Sequence, residues 1–195
     1  MTDHQLPRVT ERELIHRGKK FDFERVNLSA PGSEPVWREV VRHPGAVCVL
    51  PVLRESTEDR IVMIRNHRFA LGGTAGEQLW ELPAGTCEPG EPVLTTAGRE
   101  LIEETGFEAG TLESLLWFYT TPGMTDEKMH AVLATDLKPV GQQLEEDERI
   151  EVHVLPVSEV LAMVDRGEIV DAKTVLVVLH ALRSGLIRSA EEGPA

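Results

Sequence analysis

Gly85-Thr86-Cys87-Glu88-Pro89-Gly90-Glu91-Pro92-Val93-Leu94-Thr95-Thr96-Ala97-Gly98-Arg99-Glu100-Leu101-Ile102-Glu103-Glu104-Thr105-Gly106-Phe107 is the segment whose reading decides the fold. Its second half, residues 92–105, predicts a helix, with Pro92 near the start and Gly106 just past the end. At ~100° per residue, Glu100, Glu103 and Glu104 fall within roughly a 100° arc, so three carboxylates crowd one face. Leu94, Ala97 and Leu101 form an apolar stripe beside them. The helix is therefore expected to pack on a sheet with its acidic edge at the border of the core. Like charges at this spacing cost a few tenths of a kcal/mol on open surface, and partial burial makes the repulsion worse. Clustered oxygen ligands suit Mg²⁺ or Mn²⁺, and such a cation removes the repulsion. Taken alone, three glutamates suit a solvated acidic face better than a metal site.

The spacing around them decides between the two. Gly85, five residues, Glu91, seven residues, Arg99-Glu100-Leu101, one residue, Glu103-Glu104, one residue and Gly106-Phe107 resembles the Nudix box. Seven fixed positions at ordinary residue frequencies coincide by chance on the order of once per million chains of this length. Phe107 departs from the aliphatic residue more usual there, a difference of packing. The resemblance implies a Nudix-type α/β/α sandwich on a mixed sheet, an α/β (α+β) fold, with a small N-terminal β region. It also implies roles. Glu100, Glu103 and Glu104, with the Ala84 carbonyl, would hold two or three Mg²⁺ ions (Mn²⁺ as an alternative). Gly85 would bring the backbone near the metal. Glu91 and Arg99 would pair to fix the loop on the helix, and Gly106 would end the helix in a left-handed conformation.

Features outside the box resemble the ADP-ribose pyrophosphatase subfamily. These are Glu81-Leu82-Pro83-Ala84-Gly85 leading into the box, Tyr119-Thr120-Thr121-Pro122-Gly123-Met124-Thr125-Asp126-Glu127-Lys128, and the acidic run Glu145-Glu146-Asp147-Glu148. Thr121 stands where that subfamily has serine. The resemblance implies that Glu146 orients or deprotonates the attacking water, with Glu145 and Glu148 as alternatives; a solvated hairpin turn is the competing reading. It places Glu127 at the terminal ribose, with Glu81, Pro122, Gly123 and Met124 among the substrate contacts. Arg68 is a candidate for phosphate or ribose. Arg38 and Phe23 (or Phe21) are candidates for the base, although core or dimer packing suits the phenylalanines too. The implied reaction is Mg²⁺-dependent hydrolysis of ADP-ribose to AMP and ribose 5-phosphate. GDP-mannose or another nucleoside diphosphate sugar is the alternative substrate. A non-catalytic nucleotide sensor is the alternative of another class, disfavoured because every box carboxylate is present.

Working outward, strands are predicted in 14–27 and 36–42, with residues 1–10 polar and irregular. Further strands are expected at 45–53, 60–65, 79–82, 114–120, 128–135 and 150–155, and helices at 157–166 and 171–185. The order lacks regular βαβ alternation, and no GxGxxG or GxxxxGK[ST] element is present, against a doubly wound nucleotide fold. Three segments are expected: an N-terminal β region over 1–42 that forms a homodimer, a hydrolase domain over 43–188, and a frayed tail over 189–195.

Composition agrees with this reading. A chain of 195 residues, 41% hydrophobic and 27% charged, can bury an ordinary core without disulfides. A net charge of -13 argues against nucleic acid as partner. It leaves a small phosphate substrate open, since a cation can bridge carboxylates and phosphates. Cys48 lies in an apolar run and is expected in the core. The histidines show no metal-ligand spacing. No signal-like h-region or ~20-residue apolar run occurs, so a cytoplasmic location and no membrane partner are expected.

Overall fold

The computed structural model describes residues 6–72, 76–144 and 148–190. The chain divides into two compact units, residues 1–46 with 118–129, and residues 47–117 with 130–195.

The first unit contains β1 (Arg8–Arg17), β2 (Asp22–Ser29) and β3 (Val36–Arg42), an antiparallel sheet in that order. Here the structure corrects the predicted run over 14–27 and the irregular start. β1 begins at Arg8, and a turn at 18–21 breaks the run, with the Gly18 N–H donating to the Phe21 carbonyl at 3.1 Å. A Cβ on Gly18 would lie 2.3 Å from that oxygen, so glycine is required there by close approach. β1 faces solvent along nearly its whole length, so no buried face imposes a period of two on its sequence. Cross-strand ion pairs help hold the sheet: Arg25–Glu13 at 2.6 Å and Arg42–Glu24 at 2.8 Å.

The larger sheet contains β4 (Ala46–Leu53), β5 (Arg60–Arg68), β6 (Glu77–Glu81), β7 (Ala84–Thr86), β8 (Phe107–Tyr119), β9 (Lys128–Pro139) and β10 (Ile150–Pro156). Its strand order is β10-β5-β4-β9-β8, with β6 paired to β5 and β7 to β4. The helices are α1 (Val93–Thr105), α2 (Val157–Asp165) and α3 (Ala172–Arg183). The apolar run of β4 is buried from Ala46 to Val52, as a central strand covered on both faces should be. Cys48 is fully buried within it, and burial pushes its thiol up to about 12.

Ala97 and Leu101 of α1 pack into a core with Val47, Val49, Val132 and Ala134. Leu94 departs from the predicted stripe and is 39% exposed. In the first turn it is Val93 that packs against this core, and Leu94, one residue on, falls at the edge of the buried face set by Thr96, Ala97, Leu101 and Glu104. The helix ends at Gly106, whose φ of 72° is left-handed and whose N–H donates to the Ile102 carbonyl at 2.8 Å. β7 was not expected from sequence: three residues are too few to show a period.

Near the chain end, the fully buried Asp59 accepts from Arg54 at 2.7 Å, from the Arg188 guanidinium at 2.9 Å and from the Arg188 N–H at 2.9 Å. The predicted frayed tail begins just beyond this anchor; its residues 191–195 lie outside the described residues.

Candidate active site

The turn from β6 through β7 and the face of α1 build the acidic centre. Glu104 is only 4% exposed, and its carboxylate accepts from the Ala84 N–H at 2.8 Å. Desolvation, with the charges of Glu100 and Glu148 adding to it, raises this carboxyl to about 8. Glu100 is raised for the same first reason, burial, with Glu103 and Glu148 contributing. Gly85 makes the approach possible. A Cβ there would sit 1.9 Å from the Glu100 carboxyl carbon, so any side chain would collide with the acid that α1 projects at the loop.

Arg99 ties the loop to the helix. Its Nη2 lies 3.2 Å from Glu91, while its Nη1 lies 2.8 Å from Glu100 and 2.9 Å from Glu103. Glu91 also accepts from the Thr96 hydroxyl at 2.9 Å. The bond from Arg99, reinforced by Thr96, holds the Glu91 carboxyl below the usual range. Glu103 is the most open of the three box acids on α1, at 34% side-chain exposure against 12% for Glu100.

A second charged group lies beside the box. Glu81, 1% exposed, receives two hydrogen bonds from Arg68, Nε to Oε1 and Nη2 to Oε2, each 2.7 Å. Lys173 donates to the same Glu81 carboxylate at 2.6 Å and to Asp171 at 2.9 Å. Asp171 caps α3 by accepting from the Thr174 N–H at 3.0 Å, and the Thr174 hydroxyl receives the Leu82 N–H at 2.9 Å. Burial opposes the charge on Glu81, but Arg68 and Lys173 outweigh it and hold the carboxyl low.

Within the first unit, the Pro122-Gly123-Met124 segment is pinned to β3. The Val41 N–H donates to the Met124 carbonyl at 2.8 Å, and Asp126 pairs with Arg42 at 3.0 Å. Glu127 accepts from the Thr120 hydroxyl at 2.6 Å and lies 3.6 Å from His43. Phe21 stacks on His43 with ring centroids 6.4 Å apart, whereas Phe23 is half-buried in β2 and Arg38 donates to the Trp37 carbonyl at 2.9 Å. Glu145 and Glu146 lie outside the described residues. Glu148 is described, and its negative charge bears on both Glu100 and Glu104.

The model of the NUDIX domain matches residues 42–176. The chain belongs to the Nudix family. It is a Nudix hydrolase. An ADP-ribose pyrophosphatase of Bacillus subtilis (strain 168) is 38% identical over 171 residues, covering 87% of this chain and 89% of the relative. A GDP-mannose pyrophosphatase of Citrobacter koseri is 36% identical over 185 residues, covering 92% and 93%. Among solved structures, an ADP compounds hydrolase superposes with a TM-score of 0.76 at 25% identity, covering 93% of this chain and 95% of that one.

Nudix hydrolases generally use divalent metal ions. The donor set here fits a hard cation: the buried Glu104 carboxylate, the largely covered Glu100, Glu103 at the rim, and backbone of a loop kept clear by Gly85. Glu100 and Glu104 repel each other and Glu148 in an environment that disfavours charge, a defect that a cation would remove. Among the described residues no three acidic or imidazole side chains already converge on one point. Arg99 draws Glu100 and Glu103 toward itself instead.

Several residues of this Nudix site were not anticipated. Lys173 and Thr174 reach the lead-in strand from 92 positions away. Asp171 carried a signal, an acid three residues before Thr174 at a predicted helix start. Gln142, which donates to the Glu104 carbonyl at 2.6 Å, carried none.

Proposed function

We propose that this Nudix hydrolase cleaves the phosphoanhydride bond of ADP-ribose in a Mg²⁺-dependent reaction, giving AMP and ribose 5-phosphate. The observation that carries the reading is the Glu104 carboxyl, buried against Ala84 with its ionisation opposed by Glu100 and Glu148. An arrangement that disfavours its own charge is what a divalent ion would complete. Glu100, Glu103, Glu104 and the Ala84 carbonyl are assigned as ligands of two or three ions, Mg²⁺ or Mn²⁺. Bound there, the metal supplies charge stabilisation on the phosphoryl oxygens and a more acidic water.

The protein's own residues do the rest. Arg99, held by Glu91, fixes the loop against α1 and balances the acids beside it. Arg68 is assigned to a phosphate of the substrate, with Glu81 acting through it. Glu146 accepts the proton of the attacking water, whose oxygen bonds to phosphorus as the bridging P–O bond breaks. Arg38, Phe23, Pro122, Gly123, Met124 and Glu127 are assigned to base and sugar. The relative that hydrolyses ADP-ribose favours that substrate, and the one named for GDP-mannose supports a second reading with the same chemistry and another sugar. Homodimer formation through residues 1–42 is part of the proposal. Val9, Leu14 and Ile15 of β1 are each more than two-fifths exposed, apolar side chains that a second copy would cover. A monomer mass by light scattering would remove that element.

The test is phosphate release coupled to alkaline phosphatase, over ADP-ribose, GDP-mannose, UDP-glucose, NADH and diadenosine polyphosphates with Mg²⁺. A kcat/KM for ADP-ribose about tenfold or more above the others supports the leading reading. A higher value for GDP-mannose moves the assignment to the second. Tight binding without turnover of any of them refutes both.

A further inference from the structure

The four charges Arg68, Glu81, Lys173 and Asp171 form a chain in that order, with the most buried member, Glu81, held between the two cations. Side-chain exposure is 1% at Glu81, 12% at Lys173, 17% at Asp171 and 40% at Arg68. Arg68 is thus the member that reaches solvent most. Its Nε and Nη2 are committed to Glu81, which leaves the Nη1 hydrogens outside that two-point contact as donors for a further acceptor. A guanidinium held by a two-point contact loses little freedom when it binds a phosphate, because its plane is already fixed.

We propose that Lys173 is a positioning residue for substrate binding: from the first turn of α3 it clamps the Glu81 carboxylate, and Glu81 in turn presents Arg68 to a phosphate of the nucleoside diphosphate substrate. The inference rests on the assignment of Arg68 to a phosphate. Two cations and two anions balance in this chain. Without Lys173, Glu81 and Asp171 would share Arg68 as their one cation, and the guanidinium would lose its fixed plane. Burial opposes the Lys173 charge, yet Glu81 and Asp171 lift its ammonium above the usual lysine range, so it stays a cation where the clamp needs one. Asp171 does double work, capping α3 and aiming Lys173, so the helix that carries the lysine is anchored at the residue that orients it.

The alternative is that Lys173 merely fastens α3 to β6. A double-mutant cycle with Arg68→Ala separates the two. Steady-state kinetics on ADP-ribose and GDP-mannose with full-length protein should show Lys173→Met raising KM about tenfold or more, with kcat changed by less than about threefold. In the Arg68→Ala background the same change should move KM by less than about twofold. Lys173→Arg should recover most of the affinity. Should Lys173→Met not fold, Lys173→Gln keeps a donor without the charge and serves in the same cycle. The Arg68 Nε–Hε resonance in ¹⁵N NMR should be sharp and slowly exchanging in the parent protein, where Glu81 holds it, and should broaden in the lysine variant. An unchanged KM and resonance in the lysine variants, or equal KM effects with and without Arg68, would overturn the proposal. If Arg68→Ala itself leaves KM unaltered, the phosphate assignment falls and the inference with it. If Arg68→Ala raises KM while the lysine variants do not, the inference alone falls.

Discussion

Glu104→Gln should make the metal-free protein more stable at neutral and alkaline pH while abolishing most turnover. The folded carboxyl is raised from 4.5 to about 8, chiefly by desolvation. Between these values the folded state binds more protons than the unfolded one, so stability falls as pH rises through that window. At ~1.4 kcal/mol per pH unit, the cost of ionising Glu104 on folding is ~1 kcal/mol at pH 5 and ~4 kcal/mol at pH 8. Glutamine carries no such cost. Its carbonyl can keep the hydrogen bond from the Ala84 N–H, and its amide then faces Glu100 and Glu148 in place of a like charge. Urea unfolding of both proteins from pH 5 to 8.5, with divalent ions chelated, should therefore give curves that diverge with pH, the variant above. Adding Mg²⁺ should stabilise the parent protein and narrow the gap, since the ion binds the folded state and neutralises the acids. Phosphate release should fall by about a hundredfold or more in the variant, through loss of a metal ligand. A variant no more stable than the parent at pH 8 without divalent ions would refute the electrostatic reasoning. Turnover within a few fold of the parent would refute the ligand assignment.

Gly85→Ala should lower turnover by about two orders of magnitude, because the new Cβ meets the Glu100 carboxyl at 1.9 Å and must drive it from the site. Circular dichroism should report an unchanged fold, since the backbone at 85 is not in the left-handed region. Asp59→Asn should cost ~1–3 kcal/mol in urea unfolding by weakening the bonds from Arg54 and Arg188, whose charges remain about half exposed to water, with kcat unaffected. Burial opposes the Asp59 charge, but the bonds from Arg188 and Arg54 hold its carboxyl below 3.8. Its contribution is therefore present above pH ~4 and lost as pH falls through the lowered value, and in the asparagine variant this acid-side loss should be absent. Glu146→Gln should depress kcat far more than it changes KM; an unchanged kcat would move the base to Glu145 or to Glu148, the latter's charge already bearing on Glu100 and Glu104.

What the sequence reveals of this molecule is set by the range over which each feature is determined. α1 and its left-handed end at Gly106 are products of neighbouring residues, and both were legible at once. β1 was not, because it exists through pairing with β2 and buries almost nothing that would mark its residues. The acids of the box show the same division within three positions. Their common face follows from helical angle, yet their depths differ: Glu104 is 4% exposed, while the Glu103 side chain is 34% exposed. Depth depends on β7 and on what covers the helix, and neither has a local signature. Chemistry follows depth. The most buried acid is held in the state that resists ionisation, and Glu103 pairs with an arginine on the same helix. Lys173 carries the point furthest, since nothing near it in the chain suggests a site residue; only its reach to Glu81, 92 positions away, gives it a place beside the box. A motif thus identifies which residue types do the work, and the fold alone ranks them.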